Sequence, residues 1–152
     1  MSIFNGINIS ASALTAQRLR MDVISANMAN ADTTRGKYVD GEWQPYTRQM
    51  VVMEPNNSSF SSYLQKAMGK TSDSSVGSGV KVSRIIEDQT PYELVYQPDH
   101  PDANEEGYVQ MPNVDPLKEM VDLMGATRSY EANVTALDAQ KNMLLKALEI
   151  GR

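Results

Sequence analysis

The sequence predicts an α+β protein in which long N- and C-terminal helices pair as an antiparallel, coiled-coil-like helical domain, with a small β-rich domain inserted between them. Three observations predict it. Apolar residues recur at helical spacing over residues 3–31 and again over 114–150. Between them, residues 35–112 are rich in Gly, Pro and Ser and carry short alternating runs. The expected division is therefore 1–34 with 113–152 for the helical domain, and 35–112 for the β-rich domain, including a flexible Ser/Gly-rich loop at about 56–79.

In the first helix, Ile7, Leu14, Met21 and Met28 follow a sevenfold spacing, with Ile3 and Ile24 beside them. Ile9, Ala16, Leu19 and Val23 form a second apolar flank, and the polar strip is narrow: Thr15, Arg18, Asp22 and Ser25. A helix apolar around most of its circumference expects burial on several sides. It ends in "SANMANADTT" (25–34), with Asn27 and Asn30 three apart beside Ala26 and Ala29. The alanines let another backbone approach closely. The amides share a helix face and can bond exposed backbone groups. That pattern suits a crowded protein contact, and it equally suits an ordinary asparagine cap in a monomer.

The middle zone offers strand-like runs at 46–53, 79–86, 92–96 and 107–111, each bounded by turn residues. Within the serine-rich stretch, "SSYLQKAMGK" (61–70) is expected to form a short helical turn, and Phe60, Tyr63 and Leu64 are the residues able to anchor it.

The last helix carries the clearest pattern. Met120, Leu123, Thr127, Tyr130, Val134, Leu137, Lys141, Leu144 and Leu148 advance in steps of three and four, a heptad seam interrupted by Thr127 and Lys141. Asp115 is the expected N-cap, Pro116 suits the first turn, where a missing N–H costs nothing, and Gly151 is the expected stop. Such a helix would be roughly 55 Å long, whereas a compact chain of this size has a radius of gyration of about 15 Å. Either it breaks, with Gly125 the natural place, or it projects, and its apolar surface calls for further copies or partners.

Composition excludes several functions. The 152 residues carry no cysteine, so there is neither a disulfide frame nor a thiolate metal site. No apolar run reaches the roughly 18 residues of a membrane span, so no membrane insertion is expected, and no cleavable signal pattern is visible. A net charge of −5 with scattered basic residues argues against nucleic acid. The sole histidine, His100, sits between prolines in "QPDHPDANEEG", read as an exposed loop. Asp99, Asp102, Glu105 and Glu106 beside it do not fit the spacing of a calcium loop and read as a solvated acidic turn. "GKT" at 69–71 lacks the earlier glycine of a phosphate loop, and "GSG" at 77–79 lacks the third glycine of a dinucleotide turn. No catalytic residues, cofactor or metal are expected, and the chain is not expected to be an enzyme.

"SANMANADTT" (25–34) resembles the signature ending the N-terminal helix of bacterial flagellar rod and hook proteins. "GYVQMPNVDPLKEMVDLMGATRSYEANVTAL" (107–137) resembles the C-terminal signature of the proximal rod proteins, C type, and "GEWQPYTRQMVVM" (41–53) matches their early β segment in character. "RGKY" (35–38) departs from the commoner Thr-Gly-Tyr continuation. The resemblance implies a structural subunit of the flagellar basal-body rod, the hollow torque-transmitting drive shaft, exported from the cytoplasm by the flagellar type III system. It implies partners among the other rod proteins, the membrane ring or export-gate base and the distal rod, and allows self-association. The expected assembly interface is Ile7, Leu14, Met21, Ile24, Asn27, Met28 and Asn30 on the first helix, with Leu123, Tyr130, Val134, Leu137, Leu144 and Leu148 on the last. The alternative is a soluble helical export chaperone or adaptor, whose helices would need no intervening β domain.

Overall fold

A computed structural model of the chain describes residues 4–39, 41–56, 67–69 and 77–150. Ile3, Gly151 and most of the serine-rich stretch, with its expected helical turn and the anchors Phe60, Tyr63 and Leu64, lie outside the described residues.

The fold is α+β, with a helix toward each end. Helix α1 spans Phe4–Ala29. Its Ala, Leu, Met and Arg content favours helix, and no proline interrupts it. It stops at Asn30. The Asn30 backbone N–H donates to the Ala26 carbonyl at 3.1 Å, and its side-chain Nδ2 donates to the same oxygen at 2.9 Å. Thr33 Oγ1 donates to Asn30 Oδ1 at 3.2 Å. Carbonyls orphaned at the helix end are thus satisfied by the chain itself.

Helix α2 spans Pro116–Ile150, 35 residues and about 52 Å. It runs through Gly125 without a break, so the break envisaged there does not occur. A methyl group at Gly125 would meet nothing within 4 Å. Asp115 is the N-cap: its Oδ1 accepts from the Leu117 N–H at 2.9 Å and from Lys118 at 3.4 Å, while its carbonyl accepts from the Glu119 N–H at 3.0 Å.

Three two-stranded sheets lie between the helices in sequence. β1 (Lys37–Val39) pairs antiparallel with β2 (Glu42–Gln44). β3 (Gln49–Asn56) pairs with β4 (Gly79–Glu87). β5 (Glu93–Tyr96) pairs antiparallel with β6 (Tyr108–Met111). The four expected strands correspond to β3–β6. The β1–β2 hairpin was not foreseen; Gly41 takes φ +93° at its turn, a conformation glycine adopts without steric cost.

The chain divides into two compact units: Met1–Arg18, Val52–Arg84 and Thr127–Arg152 in the first, Leu19–Val51 and Ile85–Ala126 in the second. In the first, Ser12 ties β4 to α1. Its Oγ accepts from the Val80 N–H at 3.1 Å and donates to the Ile9 carbonyl at 2.7 Å. Gly79 permits this approach, since a Cβ there would fall 2.4 Å from Ser12 Oγ. Gly6 lies against the amide of Gln140, 3.0 Å from where its own Cβ would be. In the second unit the buried apolar residues include Val23, Ile24, Pro45, Val109, Pro112 and Ala126, and the buried polar ones are Asn27 and Glu119 among the described residues.

Candidate functional site: a polar anchor and an exposed helix face

The second unit is organised around a buried acid. Glu119, in the first turn of α2, is 0% exposed. An isolated buried carboxylate is costly, so it needs partners. Arg48, just before β3, supplies one: its Nε donates to Glu119 Oε1 at 2.6 Å. Asn27 on α1 supplies another, donating Nδ2 to Glu119 Oε2 at 3.1 Å. The guanidinium of Arg48 also meets Asp88 at 3.3 Å and Asp122 at 3.5 Å. Burial lowers the Arg48 pKa, but the hydrogen bond and charge of Glu119, with those of Asp88, outweigh it and leave the pKa raised. Asp88 is held below the usual carboxylate range, first by the hydroxyl and N–H of Thr90 and then by Arg48.

Asn27 uses its whole amide. Oδ1 accepts from the Gln49 N–H at 2.9 Å and from Tyr46 OH at 3.0 Å; Nδ2 donates to the Gln49 carbonyl at 2.9 Å and to Glu119. The side chain thus pairs with the first residue of β3 as a neighbouring strand's peptide group would. Asn113 Oδ1 accepts from the Arg48 N–H at 2.8 Å.

A second tie fixes the loop before β6. Asp102 accepts from Thr34 Oγ1 at 2.8 Å and from Arg35 Nε at 2.7 Å. Arg35 first, then Thr34, hold its carboxyl below the ordinary range. His100, expected to be exposed, is partly covered, and its Nδ1 accepts from the Asp102 N–H at 3.1 Å. The expected solvated turn is therefore pinned at Asp102. Among the described residues no group of three or more His, Cys, Asp or Glu side chains could hold a metal ion. The cation amid Asp88, Glu119 and Asp122 is a guanidinium.

Outside the anchor, α2 exposes apolar side chains. Leu117, Met120, Val121 and Met124 stand out of its first turns, and Met143, Leu145, Leu148 and Ile150 out of its last. Among the described residues no helix is long and apolar enough to cross a membrane.

Comparison with known proteins gives the family of the chain. Residues 7–37 match the family described as flagella basal body rod protein, and residues 105–150 match the family described as flagellar basal body rod FlgEFG protein C-terminal. The chain is 62% identical to the flagellar basal-body rod protein FlgC of Bacillus subtilis (strain 168), over 100% of both chains. It belongs to the flagellar basal-body rod protein FlgC family. It is also 43% identical over 100% of both chains to the FlgC of Escherichia coli O6:H1, and 42% identical to that of Borreliella burgdorferi over 99% of this chain and 98% of the relative.

In this FlgC-family chain the expected interface residues fall into three groups. Ile7, Leu14, Met21 and Met28, with Leu123, Tyr130, Leu137 and Leu144, are half-buried. Val134 and Leu148 are exposed. Ile24 and Asn27 are buried inside the second unit, and Asn30 closes its own helix. The covered line on α2 is rotated from the expected seam. It joins Leu123, Thr127, Tyr130, Leu137 and Leu144 to Glu119, Ala126, Asn133 and Gln140, while Met120, Val134 and Lys141, which the apolar pattern places in the seam, are exposed. Arg48 and Glu119 were not anticipated at all. They are 71 positions apart, and a glutamate in a helix's first turn gives no sign that it is buried.

Proposed function

We propose that this chain is a structural subunit of the flagellar basal-body rod that joins the rod through the outward apolar face of α2, together with the half-buried Ile7, Leu14, Met21 and Met28 of α1. The carrying observation is the exposure of large apolar side chains along α2, with Leu148 71% and Ile150 85% exposed. Burying a leucine stabilises by roughly 1.5–3 kcal/mol, so such a helix gains free energy when neighbours cover it. In this reading the terminal helices pair antiparallel as a coiled-coil-like axial domain around the rod's channel, with residues 35–112 as an outer β-rich domain. Antiparallel pairing is supported inside the second unit: Arg20 meets Asp122 at 3.7 Å and Asn27 meets Glu119, so advance along α1 is retreat along α2. The partners are other rod proteins, the membrane ring or export-gate base below and the distal rod above, reached by type III export from the cytoplasm. Nothing in the described residues points to catalysis, and the relatives' names give no support to a chaperone or adaptor.

Leu148→Glu tests the reading. The residue is exposed in the free chain, and surface substitutions there change stability by within about 0.5 kcal/mol. In the rod it would bury a charge in every copy. The expected outcome is secreted, folded protein with no motility and no rod beyond the point of arrest in electron micrographs of basal bodies. Glu149→Ala, which removes only a surface pair with Lys146, is the control and should swim. Normal motility of Leu148→Glu would remove α2 from the assembly surface.

A further inference from the structure

We propose that the second unit carries a docking hollow for an extended, proline-containing peptide segment bearing a basic residue, supplied by a partner protein. A cavity of about 310 Å³ lies between the β1–β2 hairpin and the β5–β6 hairpin. Its apolar walls are Trp43, Leu94, Tyr108 and Pro45. Trp43 is 54% and Leu94 62% exposed, and both open onto this hollow.

Each of the two aromatic walls, Trp43 and Tyr108, contacts a second ring. Tyr38 stands 5.1 Å from Trp43, and Tyr96 stands 5.3 Å from Tyr108 in an edge-on pair. Gly107 admits Tyr96 at this place, since a Cβ there would sit 2.9 Å from its ring. The walls are thus set before any ligand arrives, which lowers the entropy lost on binding.

The polar lining selects the ligand. No lysine, arginine or histidine lines the hollow, whereas Glu42 and Asp102 do. Asp102 is already engaged by Arg35, and Glu42 has no ion-pair partner among the described residues. The site therefore favours a cation and disfavours phosphate. The Trp43 indole N–H and the Tyr108 hydroxyl can donate to carbonyl groups, and neither has a hydrogen-bond partner among the described residues. A polyproline-type segment has carbonyls unspent in internal hydrogen bonds, and aromatic-lined grooves recognise such segments. This inference stands apart from the rod reading, because it uses no residue of the exposed α2 face.

The test uses the full chain, nitrogen-15 labelled, titrated with a short synthetic peptide having two prolines three apart followed by an arginine. The same peptide with glutamate in place of arginine is run beside it, as is a chitin oligosaccharide. The arginine peptide should shift the Trp43 indole signal and bind at least tenfold more tightly than the glutamate peptide. Glu42→Lys should reverse that preference, and Trp43→Ala should abolish binding while leaving the remaining amide spectrum in place. Absence of any indole shift, equal binding of both peptides, an unchanged preference in Glu42→Lys, or binding of the sugar alone would each overturn the proposal.

Discussion

Asn27 links three segments that meet nowhere else in sequence: α1, the start of β3 and the first turn of α2. Replacing it with alanine leaves the part-buried Gln49 peptide and one side of the buried Glu119 carboxylate without these partners. Unpaired buried groups cost about 1–3 kcal/mol each, so Asn27→Ala should lower stability by at least about 2 kcal/mol in urea unfolding at neutral pH. Asn27→Asp is more telling: it would set a second carboxylate about 3 Å from that of Glu119, where like charges repel. Its deficit should be largest near neutrality and shrink as the solution is acidified; a deficit independent of pH would mean Arg48 absorbs the extra charge. In the parent chain the dependence has the opposite sign. Asp88 and Asp102 both have lowered folded-state values, so their stabilisation is complete above the ordinary carboxylate pKa of about 4 and is lost below it, as pH falls through the lowered folded-state values. Unfolding midpoints should accordingly be flat from pH 7 to about 5 and fall below about 4, with Asp102→Asn reducing the fall. The sequence marked Asn27 as a residue that bonds exposed backbone. It could not say whose, because Gln49 is 22 positions away and Glu119 is 92.

At the scale of elements, both helices were legible because their signals are local. The strip Thr15, Arg18, Asp22 and Ser25 is exposed throughout, as its polarity requires. Asp115 caps α2 as a short polar side chain before proline should. Asp115→Ala should cost about 1 kcal/mol and destabilise the first turn that presents Glu119; a change under about 0.3 kcal/mol would show that the Arg48 pair holds that turn unaided. The face of α2 was harder to read. Periodicity equates apolar with covered, whereas the chain covers Glu119 because Arg48 neutralises it and leaves Met120 half out. The β1–β2 hairpin was missed for a related reason. All of its residues with assigned burial in the two strands are exposed, so it carries no inward–outward alternation to detect.

At the scale of the whole molecule, the distribution of burial along α2 sets how the free chain should behave. Its buried residues are Glu119 and Ala126 alone, both within the segment that joins the second unit, and from Thr127 onward no residue is buried. Helical hydrogen bonds with only partial apolar cover open more readily by local fluctuation, whereas those tied to a packed core open only with that core. Marginal helices in water owe their persistence to packing more than to propensity. In dilute solution, amides of 127–150 should therefore exchange at least roughly tenfold faster than those of 119–126. Within purified basal bodies, where neighbours would cover Leu137, Leu144 and Leu148, the two segments should become equally protected. Hydrogen exchange read by mass spectrometry on both samples separates the possibilities. Uniform protection along α2 in the free chain would mean the helix is already secured before assembly, and ordering of its C-terminal part could then contribute nothing to the timing of rod growth.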